Sequence, residues 1–553
     1  MPRSATLALL VALLIVLGAF LRPAVTVAQP APGARDFESL KTKYLADLKR
    51  PSLFIRTRST RRLCETKDPR AFDMMLARYQ KPEDPDDHVQ YLTAAITTKN
   101  FNTSQYVDKL DQWADKNKKD WDGWLWYRTQ GVHVKVKGTA EVITNAIENR
   151  NEFFRVSSIE AMCDAKSPEL LTLIPKIMAD LPRRGIGRSL LVEACAAGLY
   201  AMKEQATTPA FRNAALPVIS ALGDKDTEDR SKLVIARHLK ATLNTDRAGL
   251  NPEYWLSALD GKAAQAAMGD GYANQPTFIG IEGAGTRIAY VIDLSDSMLT
   301  PLSVKEKDEL KRVITGGPNP TKPDDPVKND PPINLPWDSI KNRFDAAREF
   351  LKLSLNGLPD DIEFTIITFG TKATLMEGLT GLVKASKSNV RRVIASLDAI
   401  RPGPTATNRP HGTLQGMTNL HGGIMRAFQV AGNGIVSRYE QVDKKCFEKG
   451  VDTIFVLSDG APSYDDFDAT DMRDPEDQGG DPEAGTLSQN TPQLIYYGPY
   501  VVDTEHLLDD IRRMNIYRKV QIHCVGIGEA DASLLEAITE RGLGKLRRIG
   551  AGD

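Results

Sequence analysis

Three short segments of this chain put oxygen-bearing side chains where chemistry can use them. Asp293-Leu294-Ser295-Asp296-Ser297 offers a carboxylate and two hydroxyls at alternate positions, directly after the apolar run 288–292. Thr418 stands just ahead of an amphipathic stretch beginning at Asn419, and the apolar run 453–457 ends in Ser458-Asp459-Gly460. Asp293, Ser295, Ser297, Thr418 and Asp459 together make a set of hard oxygen donors. Such a set suits Mg²⁺, which prefers six hard oxygen ligands and retains water readily, with Mn²⁺ or Ca²⁺ as alternatives.

These segments need a scaffold that brings them together. Short continuous apolar runs at 287–293, 361–369, 451–458 and 519–526 alternate with amphipathic stretches at 337–355, 389–400, 419–430, 503–514 and 532–541. Alternating β and α segments with strands apolar on both faces predict a doubly wound α/β domain, its mainly parallel sheet covered by helices on each side. In such sheets ligands sit beyond the carboxyl ends of the strands, which is where the three oxygen-rich segments fall.

The DxSxS motif at a strand end, the lone Thr418 before a helix and the strand followed by Ser458-Asp459-Gly460 resemble the metal-ion-dependent adhesion site of von Willebrand factor A and integrin I-like domains. The resemblance extends from about 287 to 550. It implies that Ser295, Ser297 and Thr418 bind the ion directly, that Asp293 and Asp459 act largely through bound water, and that the last position is offered to an Asp or Glu of a protein partner. Neutral hydroxyl ligands leave a dication under-neutralised, so an incoming carboxylate completes both shell and charge. One departure is Asp296, where the family usually has Gly. The extra carboxylate either strengthens Ca²⁺ or Mn²⁺ binding or points to solvent. Two insertions, near 303–336 and 464–500, begin at the same edge. The stretch 464–485 holds nine acidic residues with Arg473 as its one base. The insertions are expected either to shape the partner surface or to remain solvated loops.

The first half of the chain reads differently. Residues 36–260 are helical in pattern, and Arg62-Leu63-Cys64-Glu65-Thr66-Lys67-Asp68-Pro69 returns in altered form as Ala161-Met162-Cys163-Asp164-Ala165-Lys166-Ser167-Pro168. An offset of 99 residues fits two hairpin repeats plus loops, so this half resembles a short HEAT-like solenoid with a concave surface free to hold a protein or peptide. The Gly- and Ala-rich stretch 261–286 reads as a linker, and 287–553 as the α/β domain. Trp121, Trp124, Trp126 and Tyr127 read as core packing. At the N-terminus, Arg3, an apolar run of about seventeen residues and Thr26-Val27-Ala28 read as a secretory signal cleaved near Ala28, with an uncleaved anchor as the alternative.

Bulk composition narrows the function. With 71 basic against 72 acidic residues and a formal charge of -1, no global field draws the chain to nucleic acid or anionic lipid. Five cysteines scattered singly, without a CxxC pair, argue against a disulfide framework; Cys64, Cys163, Cys195 and Cys524, set among apolar residues, read as buried thiols, with one oxidised pair as the alternative. The expected function is that of an exported, non-enzymatic module that captures a partner carboxylate through its metal, without stable membrane insertion after cleavage. The alternatives are a metal-assisted hydrolase and a scaffold with an inactive metal site. His421 is the histidine placed nearest the metal by sequence, on a helix position expected to be partly exposed.

Overall fold

The computed structural model describes residues 37–50, 52–79, 87–117, 119–245, 249–261, 276–315, 335–400, 416–436, 440–467 and 498–550. The signal segment 1–28 lies outside them, as do 262–275 of the linker and 316–334 and 468–497 of the insertions.

Residues 37–259 form α1 (Phe37–Asp47), α2 (Leu53–Glu65), α3 (Pro69–Tyr79), α4 (Asp87–Asn100), α5 (Ser104–Asn117), α6 (Gly123–Val136), α7 (Ala140–Glu148), α8 (Glu152–Asp164), α9 (Leu170–Ala179), α10 (Ile186–Ala201), α11 (Pro209–Ser220), α12 (Asp229–Thr242) and α13 (Pro252–Leu259). The even-numbered helices stack in sequence from α2 to α12, and the odd-numbered ones pack behind them as a second layer. This is an array of helical hairpins. Its internal repeat falls at the carboxyl ends of α2 and α8, where Lys67 and Lys166 both adopt left-handed backbone with φ of 54° and 49°. The 99-residue offset thus spans three hairpin steps, α2 to α4 to α6 to α8, not two. Trp124, Trp126 and Tyr127 are buried in the array's core, with Trp126 stacked on Phe154.

The second half is built on the strands β1 (Arg287–Asp293), β2 (Glu363–Phe369), β3 (Ala373–Leu375), β4 (Val383–Lys384), β5 (Thr453–Ser458), β6 (Gln521–Ile527) and β7 (Leu546–Ile549). Their order is β7-β6-β5-β1-β2-β3, with β4 also pairing β2. All pairings are parallel except those of β3 and β4 with β2. The longer helices are α14 (Val304–Thr315), α15 (Arg343–Asn356), α16 (Lys387–Ala399), α17 (Leu420–Gln429), α18 (Thr504–Asn515) and α19 (Ala532–Arg541), with shorter ones at Lys444–Lys449 and Pro499–Val502. Successive side chains of a strand point to opposite faces. On β1, Ile288, Tyr290 and Ile292 meet α15 and α16, while Ala289 and Val291 join the core formed with α17, α18 and α19. Double burial is what the continuous apolar runs encode.

Two expectations need correction. The linker does not reach 286: Thr277–Phe278 and Ile281–Glu282 form an antiparallel hairpin whose Phe278, Ile279 and Ile281 are buried in the sheet domain, where three large apolar side chains are more stable than in water. The insertion after the first motif is not all loop, since it opens with α14. Ser303 Oγ accepts from Glu306 N at 3.2 Å and Glu306 Oε2 accepts from Ser303 N at 2.6 Å, a reciprocal cap that satisfies two otherwise unpaired backbone donors.

The even layer of the array is not free. It is covered by the sheet domain. Arg61 on α2 pairs with Asp503 at 3.3 Å, Tyr91 on α4 accepts from Gln441 at 2.8 Å, and Arg128 on α6 reaches Asp509 at 3.4 Å. Glu160 on α8 holds Arg512 at 2.9 Å and Lys519 at 2.5 Å, and Arg237 on α12 donates to the Asp452 carbonyl at 3.0 Å. Tyr517 and Phe447 of the sheet domain are buried within the array's own core. Tyr517 fits because position 123 is Gly: a Cβ there would come 2.1 Å from the Tyr517 hydroxyl. The five cysteines are free and buried. Burial pushes the thiols of Cys64 and Cys195 up to about 12 and that of Cys446 to about 11.

Candidate metal centre

The order of the sheet reverses between β1 and β5. The chain leaves β1 toward α15 on one face and leaves β5 toward α18 on the other, opening a crevice at the carboxyl ends of these two strands. Asp293 is the last residue of β1, and Asp459 follows the last residue of β5. Helix α17 delivers Thr418 from above. Its second turn sits close on the sheet because position 423 is Gly; a Cβ there would lie 2.9 Å from Val291 Cγ1 and 3.0 Å from the Phe369 ring.

All five predicted residues meet at this crevice. Asp293, wholly buried, accepts from Ser295 N at 2.8 Å through Oδ1 and from Ser458 Oγ at 2.7 Å through Oδ2. The hydroxyls of Ser295 and Ser297 are 3.0 Å apart, and Ser297 Oγ donates to Asp459 Oδ1 at 2.7 Å. Thr418 is fixed through its backbone, its N–H donating to Ser463 Oγ at 2.9 Å and its carbonyl accepting from Ser463 N at 3.0 Å. Ser297 Oγ and Thr418 Oγ1 face the same space beside Gly460, 3.7 and 3.9 Å from where a Cβ on that residue would stand.

The electrostatics fit a dication. Burial, then the negative charge of Asp459, pushes the Asp293 carboxyl above the ordinary carboxylate range. Burial likewise raises Asp459, partly offset by hydrogen bonds from Ser297 and Arg343. Arg343 offsets part of the charge of Asp459, while Asp293 accepts from the neutral donors Ser295 N and Ser458 Oγ; a hard divalent ion supplies the remaining compensation. The residues present therefore suit such an ion.

Two functional residues escaped sequence reasoning. Arg343, the first residue of α15, donates through Nη1 to Asp459 Oδ2 at 3.0 Å and through Nε to Glu306 Oε1 at 3.0 Å. Glu306 thus caps α14 and holds the guanidinium that orients Asp459. The Ser303-x-x-Glu306 spacing was the available signal. His421 is not partly exposed. Only 1% of it is accessible, with Nε2 2.8 Å from Asp510 Oδ2 and its ring stacked on Tyr500 at 3.9 Å, because α18 and Pro499–Val502 cover that face of α17. Asp296 is exposed, its carboxylate against the bare backbone of Gly416.

Residues 338–431 and 496–547 match the family model of the von Willebrand factor type A domain. Those segments contain Thr418 and Arg343 but none of Asp293, Ser295, Ser297 and Asp459. Among solved structures, a von Willebrand factor type A protein from Catenulispora acidiphila is similar at 14% identity and a TM-score of 0.26, covering 49% of this chain and 40% of that one. The PilB minor pilin from Streptococcus sanguinis is similar at 17% identity and a TM-score of 0.25, covering 52% of this chain and 62% of that one. The chain therefore spans less than two thirds of either structure. Comparison with curated proteins gave no match.

Proposed function

We propose, from the match of 338–431 and 496–547 to the von Willebrand factor type A domain, that the protein is a non-enzymatic binding module that takes an Asp or Glu carboxylate of a protein partner at a divalent metal site made by Asp293, Ser295, Ser297, Thr418 and Asp459. The observation that carries this reading is the convergence of those five oxygen-bearing side chains on the crevice between β1 and β5. Bound there, Mg²⁺ supplies a hard electrophilic centre for the incoming carboxylate. Ser458 and the Ser295 amide fix Asp293, while Arg343 fixes Asp459, so the donors are set before a partner arrives. Prior positioning lowers the ordering cost of binding. Against a hydrolytic role, the nearby His421 is held by Asp510 and Tyr500 inside the domain, away from service as a base at the crevice.

The helical array serves as a brace for the sheet domain, since its even layer is occupied within the chain. The N-terminal sequence supports export, and no helix among the described residues is long and apolar enough to cross a membrane. The acidic stretch 464–485 begins on the loop that carries Asp459 and contributes to partner selection.

Affinity capture from the native envelope tests this reading, with the protein as bait in Mg²⁺, in EDTA, and as the Ser295→Ala variant in Mg²⁺. The expected result is a partner retained only by the unaltered protein with Mg²⁺, and lost when its contacting carboxylate is changed to an amide. Partners indifferent to EDTA and to the substitution would place recognition elsewhere on the surface and end the carboxylate-capture reading.

A further inference from the structure

Far from the crevice in sequence, three successive helices of the array bring a second set of metal-ligating side chains together. His133 on α6 is wholly buried, yet its Nε2 lies 2.5 Å from Asp111 Oδ2 on α5 and 3.9 Å from Glu141 Oε2 on α7. The three ligand atoms lie within 4.8 Å of one another. A single hydrogen bond would satisfy this face of the imidazole, and Asp111 alone provides it. Glu141 adds a second carboxylate to the same nitrogen, although repulsion between like charges disfavours that arrangement unless something positive sits between them. Asp111 Oδ1 is shielded from solvent with no hydrogen-bond partner, an acceptor left open beside the cluster.

We propose that Asp111, His133 and Glu141 form a second divalent-cation site, of Zn²⁺ type, that pins α5, α6 and α7 to one another. One imidazole nitrogen with two carboxylates is a donor set that Zn²⁺ accepts, and three protein ligands leave the fourth tetrahedral position for water. With bonds of about 2.0–2.1 Å, tetrahedral ligand atoms stand roughly 3.3 Å apart. The separations of 2.5 and 3.9 Å fall on either side of that value, so side-chain adjustment completes the site. The Glu141 side chain, 56% exposed, has the freedom to make that adjustment and leaves the open position facing solvent. Lys137 is engaged by Asp108 and lends part of its positive charge to Glu141 and Asp111 as well. The site joins one hairpin to the next, so occupancy stiffens the middle of the array on which the sheet domain rests.

The site differs in kind from the crevice, which holds only oxygen donors, and the test uses that difference. The full-length protein is titrated with Co²⁺ alone and with Zn²⁺ alone, following visible ligand-field absorption and thermal unfolding. Expected is an intense four-coordinate Co²⁺ spectrum, displaced by Zn²⁺, that persists in Ser295→Ala and is absent in His133→Ala. Because removing a buried imidazole can disturb folding, the deciding variant is Glu141→Gln on the surface, expected to weaken Zn²⁺ binding at least tenfold and to lose the Zn²⁺-dependent rise in Tm while its metal-free Tm stays unchanged. Zn²⁺ binding equal in the unaltered protein and in Glu141→Gln would overturn the proposal, as would a Co²⁺ spectrum abolished by Ser295→Ala alone.

Discussion

Replacing Asp293 by Asn removes the Mg²⁺-dependent gain in stability and leaves the fold in place. An ion that binds only the native state stabilises it by about 3 kcal/mol at a hundred times its dissociation constant. Asn keeps the shape of the side chain but loses the charge that faces the crevice, so urea or thermal unfolding of the variant becomes insensitive to Mg²⁺. The metal-free variant is expected to be at least as stable as the metal-free parent. In the parent, Asp293 and Asp459 are both shielded and each raises the cost of charging the other. The fold itself does not depend on the ion: Ile288, Tyr290, Ile292, Val291 and their partners on both faces are buried, each contributing about 1.5–3 kcal/mol. Unfolding of Asp293→Asn, or an undiminished response to Mg²⁺, would contradict the assignment.

The second large effect concerns Arg513. Its guanidinium is wholly buried where the two domains meet, 2.6 Å from Asp510, 3.1 Å from Glu440, 2.9 Å from Gln441 Oε1, and over the ring of Tyr91 on α4 at 4.0 Å. Burial alone would raise Asp510, but the charge of Arg513 and the hydrogen bond from His421 outweigh it and hold the carboxyl well below the ordinary range. Burial raises Glu440, with Arg513 partly offsetting it. Arg513→Ala strands two buried carboxylates, and the expected loss is about 3–5 kcal/mol at pH 7. The sign of the pH dependence follows from Asp510. A depressed folded pKa gives stability that is present above the unfolded value near 3.9 and is lost as pH falls toward the folded one. The variant lacks that contribution, and its stranded carboxylates take up protons in mild acid. The gap between parent and variant therefore narrows from pH 7 to pH 4.5 in urea unfolding. A loss under about 1 kcal/mol, equal at both pH values, would show the pair to be dispensable.

The crevice was legible because its residues lie at strand ends, where apolar runs stop and oxygen-bearing side chains begin within one or two positions. The antiparallel strands β3 and β4 were not legible, being three and two residues long with no period to detect. The seam between the domains was hidden for a different reason. Arg512-Arg513-Met514-Asn515-Ile516-Tyr517-Arg518-Lys519 carries the charge of a solvated helix end, yet Arg513, Tyr517 and Arg518 are buried. Arg518 donates to the carbonyls of Phe428 and Val451, each at 3.0 Å. Polarity in sequence marks exposure only when no partner is brought from far along the chain, and here the partners come from the array and from 428–451. For the same reason the even layer of the array, which sequence left free for a foreign protein, is covered from within.

The five enclosed thiols bear on how such a chain matures. Once folded it offers no sulfhydryl to an oxidant, and raised thiol pKa values suppress what little thiolate would react. Before folding, all five are open, and an odd number cannot be retired in pairs within one molecule. If the chain is exported into an oxidising compartment, burial of its sulfur competes with cross-linking, and a molecule that loses that race is trapped covalently. Rapid closure of the helical core, which holds Cys64, Cys163 and Cys195, then protects the chemistry of a site in the other domain that contains no sulfur at all.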